Sequence, residues 1–143
     1  MARKINKILL CASKDNSQIR DIAMQTCEVL INLNKKVYLH ENLFSIHNKD
    51  LNKLRTKQEP LKCDLIIVIG GDGSILGFAR EFGSKGVPIL GINLGNLGFL
   101  ADIPPENIVN SVMEVVNGQY IKDERFFLEA FFNDSSDGIL ALI

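Results

Sequence analysis

The sequence has no excess of charge of either sign. It carries 16 Lys and Arg against 17 Asp and Glu, for a net charge of −1. No basic face is implied, which argues against nucleic acid as a partner. Cysteine is sparse: Cys11, Cys27 and Cys63 are odd in number, scattered and set among apolar neighbours. That pattern argues against a disulfide framework or a metal site and favours reduced core thiols in a cytoplasmic protein. His40 and His47 have no second ligand at metal spacing, so surface or strand-edge positions are expected for both. No apolar run is long enough to span a membrane. The opening "MARKINKILLCASKD" starts positively, but its apolar run is too short for a signal peptide and no small-residue cleavage pattern follows. Internal repeats and low-complexity linkers are absent. Two familiar nucleotide motifs are also missing. The dinucleotide fingerprint G-x-G-x-x-G fails because, counted from Gly71, its last position is Leu76. The P-loop fails because no Gly-Lys-Ser/Thr occurs.

What is present suits one globular core. The chain has 143 residues, of which 46% are hydrophobic, enough for a domain with a buried interior. "KILLCA", "KKVYLHE", "CDLIIVIG" and "VPILGINLG" read as strands, and "CDLIIVIG" is apolar on both faces, as in the centre of a parallel sheet. From Ser17 to about Leu33 the residues Ile19, Ile22, Ala23, Thr26, Leu30 and Leu33 fall at helical spacing. "SILGFAREFG" reads as a short helix stopped by Gly83. "PPENIVNSVMEVVNG" has a helix-start signature in Pro104, Pro105 and Glu106, an apolar face in Ile108, Val112 and Val115, and a stop at Gly118. "NKDLNKLRTKQEP" is polar and weakly helical. Strands alternating with helices predict an α/β fold with a Rossmann-like, three-layer parallel sheet over roughly Lys4–Gly118.

In such sheets ligands sit beyond the carboxyl ends of the strands. Two glycine-rich stretches, "GGDG" and "LGNLG", fall there, and both are expected at the same edge. Glycines let a backbone approach a ligand closely, and N–H groups at a helix start attract phosphate. Gly71, Gly73 and Ser74 therefore make a phosphate cradle. Asp72, a carboxylate beside phosphates, has two sensible chemical roles: accepting a proton from an attacking hydroxyl, or holding Mg²⁺. The alternative is that Asp72 caps a helix starting near Ser74, and local spacing does not separate the two. In "GINLGNLGFLAD", Gly91, Gly95 and Gly98 allow close approach, Asn93 and Asn96 offer amide groups, and Phe99 offers a flat face for a base. Read alone, that stretch suits a turn-rich loop with Phe99 in the core better than a ligand site.

Taken together, the two stretches resemble the NAD kinase family. "GGDGSILGFAR" resembles its GGDG motif, "PILGINLGNLGFLADI" its second glycine-rich motif, "ERFFLEA" the strand that opens its second domain, and "KILLCASKDNSQ" its first strand–helix unit. The likeness extends to about Ala130. It implies transfer of the ATP γ-phosphoryl group to the 2′-hydroxyl of the adenosine ribose of NAD, giving NADP, with a divalent metal such as Mg²⁺ expected. It implies Asp72 as proton acceptor, with Gly70, Gly71 and Gly73 against the nucleotide. Leu76 and Phe99 would line the adenosine pocket, and Asn96 would be a further nucleotide contact. Partners beyond NAD and ATP are not implied, membranes included, although a complete family enzyme is expected to be a homo-oligomer.

The tail departs from the family pattern. The expected organisation is an α/β nucleotide-binding domain over 1–122. Residues 123–143 would be the start of a truncated all-β second domain or an aberrant tail. Asn133-Asp134 comes too soon after "ERFFLEA" to match the Asn-acid pair of that second domain and reads as a turn. "RFFLEAFF" would be left unpaired, an exposed edge followed by "GILALI". Two other classes keep the glycine turn: a non-catalytic nucleotide-binding module, and a lipid or sugar kinase of the GGDG type.

Overall fold

A computed structural model of the protein describes residues 4–43, 62–95, 98–101, 103–131 and 138–142. The first unit runs β1 (Lys7–Ala12), α1 (Ser17–Asn32) and β2 (Lys36–Leu39). Next come β3 (Leu65–Ile69), α2 (Asp72–Phe82), β4 (Ile89–Ile92) and α3 (Ile108–Val116). A hairpin of β5 (Phe127–Phe131) and β6 (Gly138–Leu142) follows. The weakly helical 48–60 segment, His47 and Asn133-Asp134 lie outside the described residues.

The first four strands form one sheet in the order β2-β1-β3-β4, and every pairing in it is parallel. The β-branched run of β3 explains its central place. All five of its residues are buried, as befits a strand covered on both faces. Alternation along the strands sorts the core into two layers. Ile8, Leu10, Ile67 and Ile69 pack with Ile19, Ile22, Ala23 and Leu30 of α1 and Ile108, Val112 and Val116 of α3. Leu9, Cys11, Ile66 and Val68 face the other way, against Ile75, Phe78 and Phe82 of α2. The result is the three-layer α/β sandwich that the sequence pattern predicts.

Helix ends follow from local chemistry. Asn16 caps α1, its Oδ1 accepting from the Ile19 N–H at 2.9 Å. A single turn at Pro105–Asn107 leads into α3, and Gly118, at φ 85°, takes the left-handed conformation that stops it. As expected, α2 ends at Phe82 with Gly83 as its C-cap, but Gly83 keeps helical φ and ψ of −62° and −35° and not a left-handed conformation. The chain tightens into one more turn, Gly83–Lys85, and ends at Gly86 with φ 68°. Gly83 serves packing instead. A Cβ there would lie 2.7 Å from Cε2 of Phe127, so its absence seats that ring.

The expectation that "RFFLEAFF" stands unpaired is also corrected. β5 and β6 run antiparallel, from Phe127 opposite Leu142 to Phe131 opposite Gly138. "GILAL" supplies a run of matching length, and pairing satisfies one edge of β5.

All three cysteines are buried and free. Burial, the largest cause, raises the pKa of each thiol, that of Cys27 to about 12, so they are inert core groups. His40 sits at the end of β2, half-buried, with its ring 5.1 Å from that of Phe78, edge to face. Among the described residues no helix is long and apolar enough to cross a membrane.

Candidate functional site

The strand order places a topological switch between β1 and β3. From β1 the chain passes to β2 on one side, whereas β3 is followed by β4 on the other. Loops diverge at such a point and leave a crevice beyond the strands' carboxyl ends. Ser13, directly after β1, meets Ser74 in the first turn of α2, their Oγ atoms 2.5 Å apart. Ser13 was not singled out from the sequence. Its signal was its place immediately after an apolar strand, the same position that marks the glycine turns.

The turn after β3 is built for close approach. Gly70 is buried, and its N–H donates to the Ile92 carbonyl at 2.9 Å, tying the turn to the end of β4. A Cβ on Gly70 would lie 2.7 Å from the Ser74 Cβ. Gly71 is the N-cap of α2 and makes no side-chain cap bond, while Gly73 lies exposed in the first turn. A Cβ on either would meet nothing within 4 Å, so open space lies in front of them. The N–H groups of Asp72 and Gly73, early in the helix, find no acceptor among the described residues, as first-turn groups do unless something caps them.

Asp72 does not cap α2. It is the first residue of the helix, and its carboxylate turns to the other glycine-rich loop. Oδ2 accepts from the Phe99 N–H at 2.8 Å and Oδ1 from the Leu100 N–H at 3.0 Å. These donors, Phe99 first and then Leu100, hold the Asp72 pKa below the ordinary carboxylate value. Desolvation works against them, and the Ala101 N–H adds to the lowering. Asp72 is therefore ionised at neutral pH, and the carboxylate keeps acceptor capacity beyond these amides. Gly98 makes this possible: a Cβ there would stand 2.7 Å from Cγ and 2.8 Å from Oδ2 of Asp72.

The second loop is shaped by its own residues. Asn93 is buried, its Oδ1 accepts from the Gly95 N–H at 3.0 Å, and its N–H donates to the Ile103 carbonyl at 2.8 Å. Gly91 lies under Ala101, with a hypothetical Cβ 3.0 Å from the Ala101 Cα. Phe99 is not a core residue. It is 92% exposed, so its ring is free to meet a flat partner. Leu76 is half-buried on α2. Asn96 lies outside the described residues. A groove of about 620 Å³ touches Ile75, Ala79, Gly91, Phe99, Leu100 and Tyr120. It runs beside the Asp72 turn without including it, and the switch-point geometry, not the groove's size, marks the site. Among the described residues no cluster of three His, Cys, Asp or Glu could hold a metal ion.

A three-layer parallel sheet whose switch point gathers two glycine-rich turns around one ionised carboxylate defines an open α/β protein with a candidate site at the strand ends. Comparison with known proteins narrows that class. Residues 7–120 match the ATP-NAD kinase N-terminal domain, and the chain belongs to that family. It is 60% identical over 68 residues to an NAD kinase of Teredinibacter turnerae, covering 48% of this chain and 23% of that protein. It is 42% identical over 109 residues to an NAD kinase of Saccharophagus degradans, covering 76% of this chain and 35% of that one. In fold it is similar to yeast NADH kinase complexed with NADH, with a TM-score of 0.72 at 18% identity over 98% of this chain and 47% of the other. It is also similar to an NAD kinase from Archaeoglobus fulgidus in complex with ATP, with a TM-score of 0.57 at 24% identity over 87% and 41%. The chain thus matches only about a quarter to a third of the length of these curated relatives.

Proposed function

We propose that this chain forms the N-terminal half of an NAD kinase, which uses ATP to phosphorylate the 2′-hydroxyl of the adenosine ribose of NAD and so makes NADP. The observation that carries the reading is the Asp72 carboxylate, ionised and placed where the turns after β3 and β4 converge. A ribose hydroxyl brought to that point meets a general base beside an open helix start suited to phosphate. Gly70, Gly71 and Gly73 would lie against the phosphates, with Leu76, Asn96 and the exposed ring of Phe99 along the adenosine. Phosphoryl transfer leaves most of the remaining work to positioning and charge.

Mg²⁺ would supply charge neutralisation on the triphosphate. The described residues hold no three-ligand metal cluster, which suits an ion carried chiefly by phosphate oxygens and water. Asp72 is the carboxylate of the described turn that could reach it. Residues 1–122 would be the α/β nucleotide-binding domain and 123–143 the start of a second, all-β domain. The buried free thiols support a reducing, cytoplasmic setting.

The test is NADP formation from NAD, ATP and Mg²⁺, comparing residues 1–143 with a complete protein carrying this half. Turnover is expected from the complete protein and little or none from the chain alone, because in-line transfer needs both substrates held. Absence of turnover in the complete protein contradicts the kinase reading. Ligand-stabilised melting separates the remaining classes. Stabilisation by ATP and NAD without turnover favours a binding module, whereas stabilisation by a sugar phosphate alone favours another kinase of the GGDG type.

A further inference from the structure

The carboxyl ends of the four parallel strands are tied together in a row, and one of the ties lies outside the glycine motifs. Asn42, after β2, donates from Nδ2 to the Ala12 carbonyl at the end of β1, at 2.9 Å. Ser13 follows directly, and its Oγ lies 2.5 Å from that of Ser74 in the first turn of α2. On the other side the turn after β3 is joined to the β4 end. The Gly70 N–H donates to the Ile92 carbonyl, and Asp72 accepts from the Phe99 and Leu100 amides.

The first turn of α2 is therefore held from both neighbours of β3. Each helical residue turns by about 100°, so Asp72 and Ser74, two apart, leave the helix in nearly opposite directions. Asp72 reaches the loop after β4, and Ser74 reaches the end of β1. Gly70 leaves room for the second contact, since a Cβ there would stand 2.7 Å from the Ser74 Cβ. Two anchors fix the rotation of the turn about the helix axis, whereas one alone would leave it free to pivot. The hydroxyl pair is exposed, so water replaces it at little cost in stability. Alignment of reacting groups is more sensitive, because small displacements slow a positioned reaction steeply.

The geometry points to Ser13 as a positioning residue for phosphoryl transfer: through Ser74 it fixes the turn that carries Asp72, and so the alignment of that carboxylate with the acceptor hydroxyl. Ser13 acts through Ser74 and does not itself meet the reacting atoms. The inference rests on the kinase reading of the same site.

The test compares Ser13→Ala, Ser13→Thr and Ser74→Ala in a complete enzyme carrying this N-terminal half. Turnover is measured well below the melting temperature, and the dissociation constants for ATP and NAD are measured separately. Ser13→Ala should lower kcat by about three- to tenfold, the scale of one hydrogen bond, with smaller changes in both dissociation constants. Ser13→Thr keeps the hydroxyl and should recover most of the loss. Ser74→Ala should match Ser13→Ala, and the double variant should lose no more than either. Ser13 is exposed, so its two variants are expected to fold and decide the matter even if Ser74→Ala does not. A kcat indifferent to Ser13→Ala, a loss that Ser13→Thr does not recover, additive losses, or an effect confined to melting temperature or to substrate binding would overturn the inference and leave the kinase reading standing. An unaltered complete enzyme without turnover would overturn both.

Discussion

The carboxylate of Asp72 lies 2.8 Å from the backbone N–H of Phe99, across 27 positions of sequence. This contact, with its companion to Leu100, joins the loops that follow two neighbouring parallel strands. It fixes the shape of the strand-end crevice and keeps the carboxylate charged.

Asp72→Asn should therefore destabilise the fold in a pH-dependent way. The folded pKa is lowered, so Asp72 contributes stability that is fully present above its ordinary value of about 4 and lost as pH falls through the lowered folded value. In Asn, one of the two oxygens becomes an NH₂ group facing an N–H donor. A Tm lower than wild type by about 3 °C or more is expected at neutral pH, with the gap closing below about pH 4. Thermal melts from pH 3 to 8 check this, and a gap independent of pH would contradict it.

Gly98→Ala should act through the same contact. The new Cβ would crowd the carboxylate and push it off its amides. In an Asp72→Ala background there is no carboxylate to crowd, so the same substitution should cost little. A double-mutant cycle by denaturant unfolding is expected to show strong coupling. Additive effects would mean that Gly98 is needed for some other reason.

The layers of the fold were legible in the sequence because burial leaves periodic marks. The continuous apolar run of β3 and the helical spacing of α1 and α3 each reported which faces are covered. Turn chemistry was less legible. Gly83 and Gly86 are both glycines in the right place to stop a helix, and only the backbone shows that Gly86 takes the left-handed conformation while Gly83 makes room for Phe127. The pairing of β5 with β6 was missed because nothing local in "GILAL" names its partner. Placing both glycine turns at one edge followed from the parallel topology. The role of Asp72 did not. A carboxylate next to a helix start looks like a cap until the loop 27 residues away is seen to supply its donors. Phe99 was misjudged when its stretch was read alone, since an aromatic side chain carries no sign of which side of a loop it takes.

Gly91→Ala tests the packing beneath the second loop. The added methyl has the Ala101 backbone 3.0 Å away and the end of Ile75 closer still, and the site is buried in the sheet. Overpacking of this kind costs about 1–3 kcal/mol. Urea unfolding should show a lower midpoint with an unchanged m-value. An unchanged midpoint would mean that the loop yields freely.

The most direct test of the central claim is the effect of Asp72→Asn on turnover in a complete enzyme carrying this N-terminal half, assayed well below its melting temperature. If Asp72 takes the proton from the ribose hydroxyl, kcat should fall by about 10²–10⁴ while the dissociation constants for ATP and NAD change little. A kcat close to wild type, with only the loss of thermal stability, would show that Asp72 holds the two loops together and does no chemistry.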